Sequence, residues 1–262
     1  MLRLAIAQSP AGLQSPTDRL NWLRNTLPQV ADNGADIVVL PELFACGYNI
    51  GGEVLARAET LEGSTFCEIR GMAQEFGLAI HYGFSERSGD ALYNAAQCVS
   101  KQGNRLCHQR KLAIPPGFER SYFTAGQGCS LFDFCGIKIA TLICYDAEFP
   151  ETVRHVAALG AELVLVPTAL SAQWPCVAHK MIPTRAFENG VFLAYINSAG
   201  VENGLEFLGA SVIAAPDGTE VARAREGPEV LYAELSSERV KAAQTRLPYL
   251  NDRFSISLLA EQ

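Results

Sequence analysis

The chain has 262 residues, 48% of them hydrophobic, enough for one sizeable core and short for two, so a single domain over residues 1–262 is expected. Charged residues make up 19%, and 28 acids against 21 bases leave a net charge of -7 with no long run of one sign, which argues against nucleic acid or a polybasic membrane surface as partner. No apolar stretch approaches the roughly 18 to 20 residues that span a bilayer, and the opening residues lack a signal peptide's apolar region, so a soluble cytoplasmic protein is expected.

Runs rich in Val, Ile and Leu alternate with helix-like periodic segments, the pattern of an α/β layered fold. Residues 4–7 and 36–40 read as strands. Between them Leu20, Leu23, Leu27 and Val30 recur at steps of three and four on one helical face, with Pro16 and Thr17 near its start. Phe66, Ile69, Ala73 and Phe76 repeat that spacing, Gly77 closes the helix, and 78–84 follows as a strand. Residues 93–100 and 105–111 form a hairpin across the polar turn at Gln102, Gly103 and Asn104. After the loop at Pro115, Pro116 and Gly117, a strand over 137–143 runs into Cys144, a helix begins at about Pro150, and 163–167 is the next strand. Residues 179–188 read as a helix and 191–197 as a strand, and Pro183 should kink that helix or mark its true start. The late strands 211–214 and 229–235, with the turn Pro216, Asp217 and Gly218 between them, should end the domain.

Eight cysteines are scattered along the chain with no CxxC pair and no histidine spaced to complete a metal site. Reduced cytosolic thiols, most of them buried as small hydrophobes, and no metal are the expectation.

Three stretches look wrong for plain core. In the first, the apolar strand Val38, Val39, Leu40 ends in Pro41 and Glu42, and strand C-terminal edges are where α/β folds place ligands. Alone, Glu42 reads as a solvated acid or a helix cap. In the second, Arg110 and Lys111 end another strand, with Glu119 eight residues on. Alone, Lys111 reads as a surface residue. In the third, a strand breaks at Cys144 with Pro150 just beyond, which raises the thiol near a helix N-terminus where aligned N–H groups favour thiolate and can hold an oxyanion. An ordinary thiol is only a few per cent ionised at pH 7 and needs a base or a positive charge. Glu42 can take its proton. Lys111, kept cationic by Glu42 and Glu119, can stabilise a tetrahedral oxyanion beside the backbone N–H of Tyr145.

These motifs resemble the nitrilase superfamily of carbon–nitrogen hydrolases, whose Glu–Lys–Cys triad has this chain order. The resemblance rests on Pro41-Glu42 with Gly47-Tyr48-Asn49, on Arg110-Lys111, on Glu119-Arg120-Ser121, and on Cys144-Tyr145-Asp146 with Phe149-Pro150-Glu151. It extends through Arg185-Ala186, Glu188-Asn189 and Pro248-Tyr249-Leu250. The wording is most similar to small aliphatic amidases such as 5-aminopentanamidase and the R-selective amidases. The resemblance implies a four-layer α-β-β-α sandwich, a homodimer or higher homo-oligomer paired through helices, and no metal or organic cofactor. It makes Glu42 the general base, Lys111 the oxyanion stabiliser, Cys144 the nucleophile and Glu119 a second carboxylate positioning Lys111 or the substrate. Two departures stand out: Leu112, Ala113 and Ile114 replace a more polar segment after the lysine, so a loop contact is missing, and Pro183 unsettles the dimer geometry.

The implied activity is hydrolysis of a small aliphatic primary amide, plain or amino-substituted, through a thioester. The same triad could instead serve a nitrile or an N-carbamoyl group. A catalytically silent binding module would be marked by loss of a triad residue, and all three are present. A metal hydrolase has only the thiols in its favour, and a Cys–His pair would need a histidine beside Cys144, whereas His155 should point away on its helix. Tyr48, Trp174 and Phe118 are candidate pocket walls. Asp146 and Glu148 read as capping or loop acids, since negative charge beside Cys144 would raise its pKa. Glu53 and Asp146 are the loop carboxylates a substrate amine could meet.

Overall fold

Apolar side chains alternate along each strand, and that alternation sorts the chain into layers. The computed structural model describes residues 1–254. The first half runs β1 (Leu2–Gln8), α1 (Pro16–Asp32), β2 (Ile37–Val39), α2 (Glu53–Ala56), α3 (Ser64–Phe76), β3 (Ala79–Ser88), β4 (Ala91–Val99), β5 (Arg105–Arg110) and α4 (Phe118–Tyr122). The second runs β6 (Leu131–Phe134), β7 (Ile137–Thr141), α5 (Pro150–Ala158), β8 (Leu163–Pro167), α6 (Ile182–Asn189), β9 (Phe192–Ile196), the hairpin β10 (Ala199–Glu202) and β11 (Leu205–Leu208), then β12 (Val212–Ala214), β13 (Glu220–Arg223), β14 (Glu229–Leu235) and α7 (Ser237–Arg246).

Two six-stranded sheets result, in the orders β14-β1-β2-β3-β4-β5 and β13-β12-β9-β8-β7-β6. Each has a parallel centre, β1-β2-β3 or β7-β8-β9, and antiparallel edges. Parallel neighbours require crossovers, and α1, α3, α5 and α6 lie in those connections. In β2, Ile37 and Val39 face the other sheet while Val38 and Leu40 face helices. In β9, Phe192, Ala194 and Ile196 face inward while Leu193 and Tyr195 pack on α5 and α6. The order helix, sheet, sheet, helix is therefore dictated by period-2 patterning, and the fold is the expected four-layer α-β-β-α sandwich.

Local signals hold. Ser15 caps α1 in a reciprocal box with Asp18, and the predicted apolar stripe Leu20, Leu23, Leu27 and Val30 is buried. Pro183 sits in the first turn of α6, which marks the helix start, but a π-helical turn over Val177–Met181 leads directly into it. Two expectations fail at the C-terminal end. The turn at Pro216 and Gly218 leads into the unpredicted β13 instead of spanning to β14, and the domain continues after β14 into α7, whose sole buried residue Val240 gives almost no apolar periodicity to read. Among the described residues no helix is long and apolar enough to cross a membrane.

Candidate active site

The three chemical stretches follow β2 and β5 of one sheet and β7 of the other, and they meet where those strands end. Glu42 follows β2 on a tight turn in which Leu43 has φ 49°. That turn presses onto β3 at Gly83, where a Cβ would meet the Leu43 nitrogen at 2.4 Å and the Pro41 oxygen at 2.8 Å, so only glycine fits. Lys111 follows β5 directly, and its N–H donates to the Asn94 carbonyl at 2.8 Å. Cys144 lies beyond β7 and opens a 3-10 turn over Cys144–Glu148 with φ 48°, a conformation uncommon for a residue bearing a Cβ. The helix beyond it starts at Pro150 as expected, and the strained turn carries Cys144 between β7 and α5.

Lys111 is wholly buried, and its Nζ donates to Glu42 Oε1 at 2.7 Å and to both oxygens of Glu119 at 2.8 Å. The Tyr48 hydroxyl donates to Glu119 Oε1 at 2.7 Å. Asn94, on β4, donates through Nδ2 to Glu42 Oε1 at 2.7 Å and to Glu119 Oε2 at 3.1 Å. Buried ions are tolerated only with such multiple partners. Burial by itself would strip the proton from Lys111, but the charges of Glu42, Cys144 and Glu119 outweigh it and hold the ammonium above the usual lysine range. Burial raises the Glu42 carboxyl to about 7, with Lys111 opposing and Glu119 adding to the rise. Its second oxygen, Oε2, is buried with no hydrogen-bond partner among the described residues.

Cys144 does not behave as its sequence context suggests. Burial and the neighbouring Glu42 charge push the thiol far up, with Lys111 opposing, so the resting site holds a protonated thiol beside a base and not a preformed thiolate. Asp146 accepts the backbone N–H groups of Ile143 at 3.0 Å, Leu112 at 3.0 Å and Ala113 at 2.7 Å, and so ties the turn bearing Cys144 to the segment after Lys111. It is the backbone-bonded acid expected.

A cavity of about 480 Å³ opens above Cys144, with Tyr48, Tyr145, Glu148, Trp174 and Leu205 in its wall. Tyr48, Tyr145 and Trp174 thus gather as expected, and the Trp174 side chain is mostly exposed at the mouth. Phe118 stands behind Tyr48, ring edge to face at 5.1 Å. Glu148 is in the wall and not merely a loop acid, whereas Glu53 is paired with Arg57 on α2 and is no part of it. None of the four histidines lines the cavity; His155 sits in a separate groove by α5. Among the described residues no group of three or more His, Cys, Asp and Glu side chains is placed to hold a metal ion.

Two contributors escaped sequence reasoning. Asn94 carries a weak signal, a polar residue inside an apolar strand. Glu202 carries none: it comes from the β10–β11 hairpin and pairs with buried Arg19 at 2.5 Å. Its other oxygen accepts the N–H groups of Tyr48 at 3.0 Å and Asn49 at 2.5 Å. It thereby fixes the loop that brings Tyr48 to Glu119.

A thiol at a strained strand end, with a paired lysine and two carboxylates beneath a small cavity, is the constellation of a cysteine-dependent hydrolase of small molecules. The sequence matches the carbon-nitrogen hydrolase family over residues 3–245. It is 33% identical over 259 residues to a nitrilase from Pyrococcus abyssi, covering 97% of this chain and 96% of that one. It is 34% identical over 235 residues to an (R)-stereoselective amidase from a Pseudomonas species, covering 88% and 85%. The solved amidase NitN from Nesterenkonia sp. AN1 superposes with a TM-score of 0.87 at 32% identity, covering 97% of this chain and 96% of that one. In a further solved form of the Nesterenkonia amidase, the acetamide moiety of fluoroacetamide is covalently added at the active-site cysteine. The chain belongs to the carbon-nitrogen hydrolases of the nitrilase superfamily and is an enzyme of that family.

Proposed function

We propose that the protein is an amidase that hydrolyses a small aliphatic primary amide, plain or amino-substituted, to carboxylic acid and ammonia through a thioester on Cys144. The observation that carries this reading is Glu42, whose Oε1 is held by Lys111 and Asn94 while Oε2 stays buried and unpartnered in the company of a protonated thiol. Glu42 Oε2 takes the Sγ proton as sulfur attacks the amide carbon, and the carbonyl electron pair moves onto oxygen. Lys111 and the Tyr145 N–H receive that oxyanion. As it collapses, the C–N bond breaks, Glu42 returns the proton to nitrogen, and ammonia leaves. Water then gives a proton to Glu42 while its oxygen attacks the thioester, and the released sulfur takes the proton back. Glu119 holds Lys111 in place throughout.

A nitrile is the second reading, favoured by the likeness to the Pyrococcus abyssi nitrilase. The same thiol would add to the nitrile carbon, but no amine leaves at the first step, so the raised pKa of Glu42 has less to do. An N-carbamoyl substrate stands behind both. The eight unpaired cysteines support a cytoplasmic, reducing setting. A homodimer or higher homo-oligomer is the proposed assembly, on the family resemblance, and sedimentation tests it. Ammonia release from a matched panel of aliphatic amides, nitriles and ureido acids tests the substrate. A higher kcat/KM on any nitrile or ureido acid than on every amide would overturn the amidase reading.

A further inference from the structure

The proposed catalytic cycle leaves one carboxylate in the cavity without a task. Glu148 ends the turn begun by Cys144 and is half-buried in the wall with Tyr145 and Trp174. Among the described residues its carboxylate enters no ion pair and accepts no hydrogen bond, although the cations that act on it are both close by. Lys111 is engaged by Glu42 and Glu119. Arg185 is engaged too: Nη1 donates to Glu188 at 3.0 Å, Nη2 to the Glu148 carbonyl at 2.8 Å and Nε to the Ala147 carbonyl at 3.3 Å. Glu148 in the cavity wall, with Glu42 and Glu119 about Lys111 and Glu188 paired with Arg185, leaves carboxylates in excess of cations here, and that balance favours a cation.

We propose that Glu148 is the specificity residue of this site and receives the cationic end of an ω-amino amide while the amide carbonyl lies over Cys144. The inference rests on the amidase reading above. Four residues along a 3-10 turn separate Glu148 from Cys144 by ~8 Å, which suits an ammonium about three to five methylenes from the carbonyl. Tyr145 and Trp174 line the same cavity and add aromatic rings, a residue type that attracts cations. Burial raises the Glu148 pKa, with Lys111 and Arg185 opposing, so a bound ammonium would relieve a desolvated charge. An uncharged chain leaves that carboxylate desolvated and unpaired, and an acidic chain is repelled.

The experiment compares kcat/KM for 5-aminopentanamide with that for hexanamide, in which a methyl group replaces the ammonium. The wild-type ratio should exceed about ten, and Glu148→Gln should bring it close to one, mainly through KM. Glu148→Lys should turn the preference toward glutaramic acid, the carboxylate-ended amide, and gives an independent readout. Hydrolysis of hexanamide by the wild type with a ratio at or below one, or a ratio unmoved in Glu148→Gln, overturns the role of Glu148 and leaves the amidase reading standing. No ammonia from either amide removes the amidase reading, and the role of Glu148 falls with it.

Discussion

Replacing Glu119 by glutamine separates a carboxylate that acts on the chemistry from one that fills space. Glutamine keeps the volume and removes a charge that now meets Lys111 through both oxygens at 2.8 Å, Tyr48 at 2.7 Å and Asn94 at 3.1 Å. Lys111 stays cationic, because Glu42 remains at 2.7 Å. Glu42 itself changes: its pKa of about 7 owes part of its rise to the Glu119 charge, so it falls in the variant. The base must be ionised to accept the Cys144 proton, so kcat/KM rises as pH climbs through this pKa. The acid limb should have its midpoint near the wild-type value of about 7 and move to lower pH in Glu119→Gln. A base weakened by about one unit loses about 1.4 kcal/mol of driving force. A lysine that loses one of its three acceptor oxygens, and with it the facing charge, loses aim at the oxyanion, and together these should lower the plateau by about two to three orders of magnitude. The assay is ammonia release from hexanamide between about pH 5 and 9, spanning both ionisation states of the base. A variant with the wild-type plateau and an unmoved acid limb would refute the reasoning and leave Glu119 a structural residue.

Cys144→Ala should abolish turnover while far-UV circular dichroism and Tm stay as in the wild type; because the thiol is buried and protonated, N-ethylmaleimide should modify the exposed Cys67 and Cys176 first, and peptide mapping that finds Cys144 modified first would contradict that state. Lys111→Ala should lower kcat by about two to four orders of magnitude, the scale of losing an oxyanion donor, and leaves Glu42 and Glu119 facing each other in a buried site, so the residual acid limb should move to higher pH. Glu202→Gln should cost about 3–5 kcal/mol in urea unfolding, because it strands buried Arg19, and should lower kcat by releasing the Tyr48 loop; unchanged stability would show that water compensates the arginine.

The reactive residues were legible in the sequence for a physical reason. Catalysis needs polar groups where an apolar strand ends, and Glu42, Lys111 and Cys144 each interrupt a Val/Ile/Leu-rich or strand-forming run at such an end. An α/β layered fold was legible too, since the unbroken apolar run Ile37 to Leu40 suits a strand covered on both faces, whereas the four-layer sandwich was implied only by the family resemblance. The short edge strands and α7 were not, because they bury too little to leave a period.

Tertiary structure decided what surrounds the triad. Nothing local in the sequence tells that Asn94 bridges Glu42 and Glu119, that Glu202 reaches across 154 positions to hold Tyr48, or that Asp146 binds the segment after Lys111. It also decided the acidity of the thiol. The sequence context of Cys144 announces a turn before a helix and so suggests thiolate, but the acidity of a buried group depends on desolvation and on charges from distant strands. Here those raise it, and Glu42 must take the proton. Nearest-neighbour chemistry is written along the chain; the electrostatic field at Cys144 exists only once both sheets have packed.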